Sequence, residues 1–183
     1  TGRIDSVRIG GILWDRRDNT SAANRGSIIK LEFTASLFVN EGGNFNRLSL
    51  DIRSFHQPLP GWISGTMLRA EGTRGDYPFY FLPALGGQER LRRFESDRFM
   101  DRNAFLVQQD LRFPILWRIG GCVFVSSGQV SHDAGGIFSG KWHISGGGGL
   151  RYFIKRQAGM LIRADIAFGN DSRGTYITFG EAF

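Results

Sequence analysis

Few residues of this sequence have the types and spacing that covalent chemistry or metal binding requires. The three histidines, His56, His132 and His143, are spread over a predicted turn, a predicted loop and the start of a predicted strand. A metal site needs several ligands at suitable spacing, and the sequence shows no such cluster. No Ser/His pair singles itself out for a membrane-embedded hydrolase. We therefore predict no catalytic residue, no metal site and no enzyme activity.

Two other features that suggest chemistry have simpler structural interpretations. Cys122 is the single cysteine, so an internal disulfide is excluded, and we interpret it as a small packing residue on a strand. The glycines at 146–149 resemble a phosphate-binding loop, but no Lys-Ser/Thr pair follows and no helix begins there. Glycines within a strand permit a kink or close packing. No cofactor is predicted.

Composition indicates one folded, strand-rich domain. The chain has 183 residues, of which 41% are hydrophobic, which excludes a disordered chain. Glycine occurs 26 times and phenylalanine 16 times, a mixture that favours strands. The formal net charge is +6, yet the charges are scattered singly, so we predict no nucleic-acid partner.

Neither a transmembrane helix nor a signal peptide is predicted. No window holds about 18 consecutive apolar residues, and residues 1–5 lack a charged region followed by an apolar one. We expect the chain to be a mature product or a piece of something longer.

Alternation of apolar and polar residues recurs along nearly the whole chain and predicts antiparallel β-structure. In one segment Leu48, Leu50 and Ile52 alternate with Ser49 and Asp51. Nine strands are predicted, at about 4–14, 26–39, 46–56, 62–73, 103–113, 117–129, 142–154, 160–169 and 174–183.

Strand length, polar-face charge and loop length favour a membrane barrel over a soluble sandwich. The predicted strands are long enough to cross the apolar band of an outer-membrane barrel, about 25 Å tall. Their polar faces carry charges of both signs, and no helix pattern is available to cover the apolar faces. Short connections alternate with long ones at about 74–102 and 131–141, as in barrels with short periplasmic turns and long outer loops. A soluble β-sandwich that binds a partner remains the alternative.

Several strings, in order along the chain, resemble those of the bacterial surface antigen family, the BamA/TamA-like outer-membrane insertases and translocases. They include a Gly-Gly element, a tip that reads Leu91-Arg92-Arg93-Phe94 where relatives have V/L-R-G-F/Y, and Asp-Leu-Arg-Phe-Pro where relatives have E-L-R-F-P. The resemblance rests on residues 14–19 with 24–26, 85–87, 91–94, 97–103, 110–115, 124–128, 147–152 and 163–167.

The resemblance implies an all-β, antiparallel transmembrane barrel over residues 1–183, with the loop at about 74–102 folded back into the lumen. Arg92 would meet acidic residues on the lumen wall, with Asp110 at one matching position. Ser126 stands where relatives have aspartate, so we expect an Arg92–Asp110 contact, with Ser126 contributing a hydrogen bond. Arg93 replaces the usual tip glycine, which raises the question whether the tip turns as tightly.

The last strand would carry the assembly signal and one side of the barrel seam, at Tyr176, Phe179 and Phe183. By the same resemblance the chain works in the bacterial outer membrane, inserting or translocating proteins. Its partners would be outer-membrane lipid or lipopolysaccharide and a client or passenger protein. The alternative function is a short barrel that acts as a membrane anchor or oligomeric pore.

Nine strands are an odd number, whereas bacterial single-chain barrels have even numbers. The chain is therefore predicted to be the last nine of sixteen strands, with upstream strands and periplasmic domains, or a half-barrel that pairs with a second copy. A third alternative is that the segment before residue 26 is not a strand, which leaves a barrel of eight.

Overall fold

The computed structural model describes residues 6–37, 44–155, 159–169 and 172–183, which form an all-β fold. Nine long antiparallel strands make one sheet, in the order β1-β2-β3-β4-β7-β8-β9-β10-β11, while β5 and β6 form a separate short hairpin. The strands are β1 (Ser6–Asp15), β2 (Gly26–Leu37), β3 (Phe45–Leu59), β4 (Trp62–Gly75), β5 (Ala84–Leu85), β6 (Phe99–Met100), β7 (Asn103–Leu116), β8 (Ile119–Ser131), β9 (His143–Lys155), β10 (Met160–Gly169) and β11 (Ser172–Phe179).

This architecture confirms the predicted nine antiparallel strands and removes two alternatives; the predicted strand ends at residues 4–5 and 38–39 lie outside the described residues. All nine lie in one sheet, so the alternative of a two-sheet sandwich is wrong. The first strand pairs with β2 from Ser6–Leu37 to Asp15–Ile28, so the eight-stranded alternative is wrong as well. In the part of the chain that the structure describes, β1 and β11 are the two edges, and the sheet does not close on itself. No helix among the described residues is long and apolar enough to cross a membrane.

The alternation places different side chains on the two faces of the sheet. On β7, buried Ala104, Leu106, Gln108, Asp110 and Arg112 point to what we call the inner face. The outer face is apolar and exposed along neighbouring strands, for example at Val123, Val125, Ile144, Leu150, Ile166 and Phe168. An antiparallel sheet can divide its strands in this way, with mainly apolar side chains on one face.

The connection between β4 and β7 covers the inner face. It contains a 3-10 turn at Phe79–Phe81 and the β5–β6 hairpin. Leu85, Leu91 and Phe94 of this connection are buried in one cluster with Met67 of β4 and Leu106 of β7. Burying each such side chain contributes roughly 1.5–3 kcal/mol, so the connection is anchored as part of the core.

The end of the last strand differs from the sequence-based expectation. We predicted a strand to residue 183, but β11 ends at Phe179. Gly180 adopts a positive φ of 81°, which glycine tolerates best, and its N–H donates to the Leu161 carbonyl at 2.9 Å. Residues 182–183 therefore turn onto the inner face, where Ala182 and Phe183 join the core cluster.

Candidate functional site

The candidate site is the tip of the β4–β7 connection, residues 91–94, together with the inner-face side chains that it contacts. The tip is closed by a hydrogen bond from the Gly87 N–H to the Phe94 carbonyl at 3.0 Å. Gly86 and Gly87 both have positive φ, and a side chain at Gly86 would overlap the Glu95 carbonyl. The Gly-Gly element is therefore required by the close return of the chain.

Arg93 occupies the tip position at which relatives have glycine, and it adopts the backbone conformation that glycine favours. Its φ is +105°, so the tip makes the turn that glycine would make most easily. Such a conformation costs a non-glycine residue on the order of 1–3 kcal/mol and persists only where surrounding contacts hold it. The Arg93 guanidinium carbon lies 4.3 Å from the centre of the Phe94 ring, which is one such contact.

Arg92 lies at the centre of the site. Its side chain is 1% exposed, and its Nη2 lies 3.1 Å from Oδ2 of Asp110, which is fully buried. On the other side its Nη1 lies 3.5 Å from Oδ2 of Asp165 on β10. The guanidinium carbon stands 3.9 Å from the centre of the Phe124 ring. The planar, permanently charged guanidinium thus meets two carboxylates and an aromatic face at once.

The second carboxylate partner is a residue that the sequence analysis did not assign to Arg92. The structure places Ser126 in a hydrogen bond with Ser145, 2.8 Å between the two Oγ atoms. Asp165, not residue 126, supplies the second acid. Two signals could have identified Asp165: it lies within one of the strings that carry the resemblance, and alternation puts it on the polar face.

Asp165 and its neighbours extend the site into a buried ionic network. Asp165 pairs with Arg151 and lies 3.8 Å from Nη1 of Arg163. Glu181 accepts a hydrogen bond from Arg151 Nε at 3.1 Å. Replacing such a network by apolar residues is often neutral, but removing one partner leaves an uncompensated buried charge. Removing one member of the network is therefore expected to cost more stability than the intact network adds.

The three C-terminal residues singled out from the sequence occupy three different environments. Tyr176 faces inward, and its hydroxyl accepts the Arg93 N–H at 2.9 Å. Phe179 is on the outer face and is 82% exposed, whereas Phe183 is buried with its ring 6.1 Å from that of Phe55. Their role in barrel assembly stays a prediction.

The histidines and the cysteine that were considered for catalysis or metal binding lie in separate parts of the structure. His143 stacks on Phe99 with ring centres 3.6 Å apart, and the exposed His132 lies 3.7 Å from a carboxylate oxygen of Asp101. Cys122 is buried on the inner face. Over the described ranges no group of three or more potential ligands could hold a metal ion.

The fold resembles that of a solved structure of BamA. The crystal structure of BamA from Haemophilus ducreyi lacking POTRA domains 1-3 superposes with a TM-score of 0.71 at 13% sequence identity. The match covers 93% of this chain and 41% of that chain, so this chain spans less than half the length of that structure. No protein-family model and no curated protein sequence matches. At this identity the similarity shows the fold, which is that of part of the BamA barrel.

Proposed function

We propose that this chain is part of an outer-membrane β-barrel that inserts or translocates proteins at the bacterial outer membrane. The exposed apolar outer face is suited to lipid, and the charged inner face is suited to a wet lumen. Similarity to the BamA barrel supports the same location for this chain. The proposed partners are outer-membrane lipid or lipopolysaccharide and a client or passenger protein.

The observation that carries the proposal is the Arg92–Asp110 ion pair. A loop tip held inside the barrel by a buried guanidinium is the feature that the resemblance to the insertases and translocases implies. A barrel that served only as an anchor has no evident need to bury an arginine from an outer loop. The tip also contacts the last hairpin, so the loop is placed to influence the strand at the seam.

The proposed mechanism is addition of a client strand to the sheet edge. An unpaired edge offers a row of N–H and C=O groups to another chain, and β-augmentation uses that row. In the part of the chain described, β11 pairs only with β10, so its other side is available for such pairing. The mechanism involves no covalent step and no cofactor.

A second function is favoured by the same edges. Because β1 and β11 are both edge strands, a second copy could complete a barrel by pairing with them, and the protein would then act as an anchor or oligomeric pore. The two functions differ in one measurable respect: an insertase makes a client protein fold faster, whereas an anchor or pore does not.

The test is to reconstitute the full natural chain into lipid vesicles, add an unfolded outer-membrane barrel protein as the client, and measure the rate at which the client folds. The insertase proposal predicts faster folding than in empty vesicles and loss of that acceleration in Arg92→Ala. Arg118→Ala is the matched control, because the exposed Arg118 stands over the Trp117 ring and away from the inner face. Vesicle incorporation without acceleration would favour the anchor or pore.

A further inference from the structure

The loop tip contacts the last strand directly, through atoms that the Arg92 ion pairs do not involve. The Arg93 N–H donates to the Tyr176 hydroxyl at 2.9 Å, and that hydroxyl donates to the Phe94 carbonyl at 3.4 Å. A single side chain of β11 therefore binds two consecutive residues of the tip. On the strand before it, Arg163 donates to the Gln88 carbonyl at 3.3 Å.

Two glycines of the last hairpin leave the space that the tip fills. A side-chain carbon at Gly174 of β11 would lie 3.1 Å from the Arg93 Cα. One at Gly169 of β10 would lie 2.6 Å from Arg93 Nη1. A larger residue at Gly169 would move the Arg93 side chain, and one at Gly174 would crowd both the Tyr176 hydroxyl and the Arg93 backbone, so backbone and side chain of Arg93 both pack on the hairpin.

The opposite side of the tip is bound to a distant strand. The Leu91 N–H donates to the Gln108 side-chain oxygen at 3.1 Å, and Arg92 pairs with Asp110, both on β7. Along the sheet, β7 and β11 are four strand spacings apart, or about 19 Å. The tip therefore joins two strands that are not neighbours in the sheet, through side chains of both strands that reach it from opposite sides.

We propose that the tip is a brace that fixes the edge strand β11 relative to β7, with Arg93 and Tyr176 as its positioning residues. While the brace is in place, β11 stays paired with β10; when it is released, β11 opens more readily. The inference deepens the proposed function, because β11 is the edge to which a client strand would add.

The test is amide hydrogen exchange on the full natural chain in lipid vesicles, comparing Tyr176→Phe with the unaltered protein. The variant keeps the ring but removes the hydroxyl. The matched control is Tyr152→Phe, because Tyr152 lies on the outer face of the same sheet. A net hydrogen bond is worth about 1 kcal/mol, or about a fivefold change in an equilibrium. We expect β11 amides to exchange about fivefold faster in Tyr176→Phe, while β7 amides and the control remain unchanged. Equal acceleration in β7 and β11, or none in β11, would overturn the brace.

A second, independent measurement uses the glycine against which the tip packs. The carbon added by Gly174→Ala would lie 2.9 Å from the Tyr176 hydroxyl oxygen and 3.1 Å from the Arg93 Cα, so we expect β11 amides to exchange faster while β7 amides remain unchanged. Unchanged exchange of β11 amides in Gly174→Ala would overturn the proposal. Both measurements report hydrogen exchange in this protein and do not depend on the folding of a client. If the brace is intact but the protein does not accelerate client folding, only the proposed function is contradicted.

Discussion

Gly149 and Asp165 are cross-strand partners on β9 and β10, and the carboxylate of Asp165 lies in the space that a side chain at Gly149 would fill. The same carboxylate pairs with Arg151 and lies 3.5 Å from Arg92. Gly149 thus makes room on the inner face for the acid that holds the loop tip, a role that resemblance to a phosphate-binding loop does not indicate.

Gly149→Ala should destabilise the site, because the added methyl overlaps both the Asp165 carboxylate and the Ala164 carbonyl. Overpacking of this kind costs typically about 1–3 kcal/mol. Gly148→Ala is the matched control in the same strand, since its added carbon would have only the Cys122 carbonyl at 3.3 Å and Val123 nearby. Samples are heated to increasing temperatures and run on a gel on which the folded barrel and the unfolded chain migrate differently. The measurement is the temperature above which the band of the folded barrel disappears. Equal shifts in both variants would contradict this account of the glycines.

Asp165→Asn should be more harmful than Asp110→Asn. Asp165 faces the guanidinium groups of Arg92, Arg151 and Arg163, whereas Asp110 lies near those of Arg92 and, at 3.9 Å, Arg112. Removing one partner of a buried pair costs on the order of 3–5 kcal/mol, and Asp165→Asn leaves more positive charge uncompensated. Limited proteolysis of the β4–β7 connection measures release of the tip. Cleavage that is faster in Asp110→Asn would be the opposite of the expected order.

Arg93→Gly should change stability by less than about 1 kcal/mol. Glycine relieves the strain of a φ of +105°, but it loses the contact between the guanidinium and the Phe94 ring. Arg93→Val is the informative comparison, because a β-branched residue at positive φ is a genuine outlier, and we expect it to cost a further 1–3 kcal/mol or so. Thermal unfolding of the two variants measures the difference. If valine were tolerated as well as glycine, the tip would not need this conformation.

The connection between β1 and β2 should keep its order well into the acidic range. Burial alone would raise the pKa of Asp18, but the backbone N–H groups of Asn24 and Arg25 donate to its carboxylate at 2.9 and 3.2 Å and hold the pKa below the ordinary value. A carboxyl whose pKa is depressed by folding contributes stability above its unfolded pKa, near 3.9, and loses it as pH falls through the folded pKa. Amide protection of residues 24 and 25 should therefore persist below about pH 4. In Asp18→Asn this pH dependence should disappear; protection that is lost near pH 4 in the unaltered protein would contradict the depressed pKa.

Much of the fold could be predicted from the sequence because successive side chains of a β-strand point to opposite faces, so a strand with one apolar face shows alternating apolar and polar residues. That pattern gave nine strands and put Asp110 and Asp165 on the inner face. Alternation does not record which inward side chains meet across the sheet, so the pairing of Arg92 with Asp165 required the three-dimensional arrangement. The turn at Gly180 was missed for a similar reason, since one glycine after a strand signals only a possible bend. The long connection between β8 and β9 was predicted, but not its 3-10 turn at Ala134–Phe138, in which the Gly136 carbonyl accepts a hydrogen bond from the Gln129 side chain at 3.0 Å.

The most direct test of the central claim is the accessibility of spin labels on β8 in lipid vesicles, in the full natural chain with Cys122→Ser as background. Val123 and Val125 face outward and are half exposed, whereas Ser126 is buried on the inner face. A label at 123 or 125 should collide more with oxygen, which dissolves in lipid, than with a water-soluble nickel chelate. A label at 126 should be protected from both under the loop. Preferential collision of the nickel chelate with labels 123 and 125 would mean that the apolar face meets water or another protein, and it would contradict the membrane barrel.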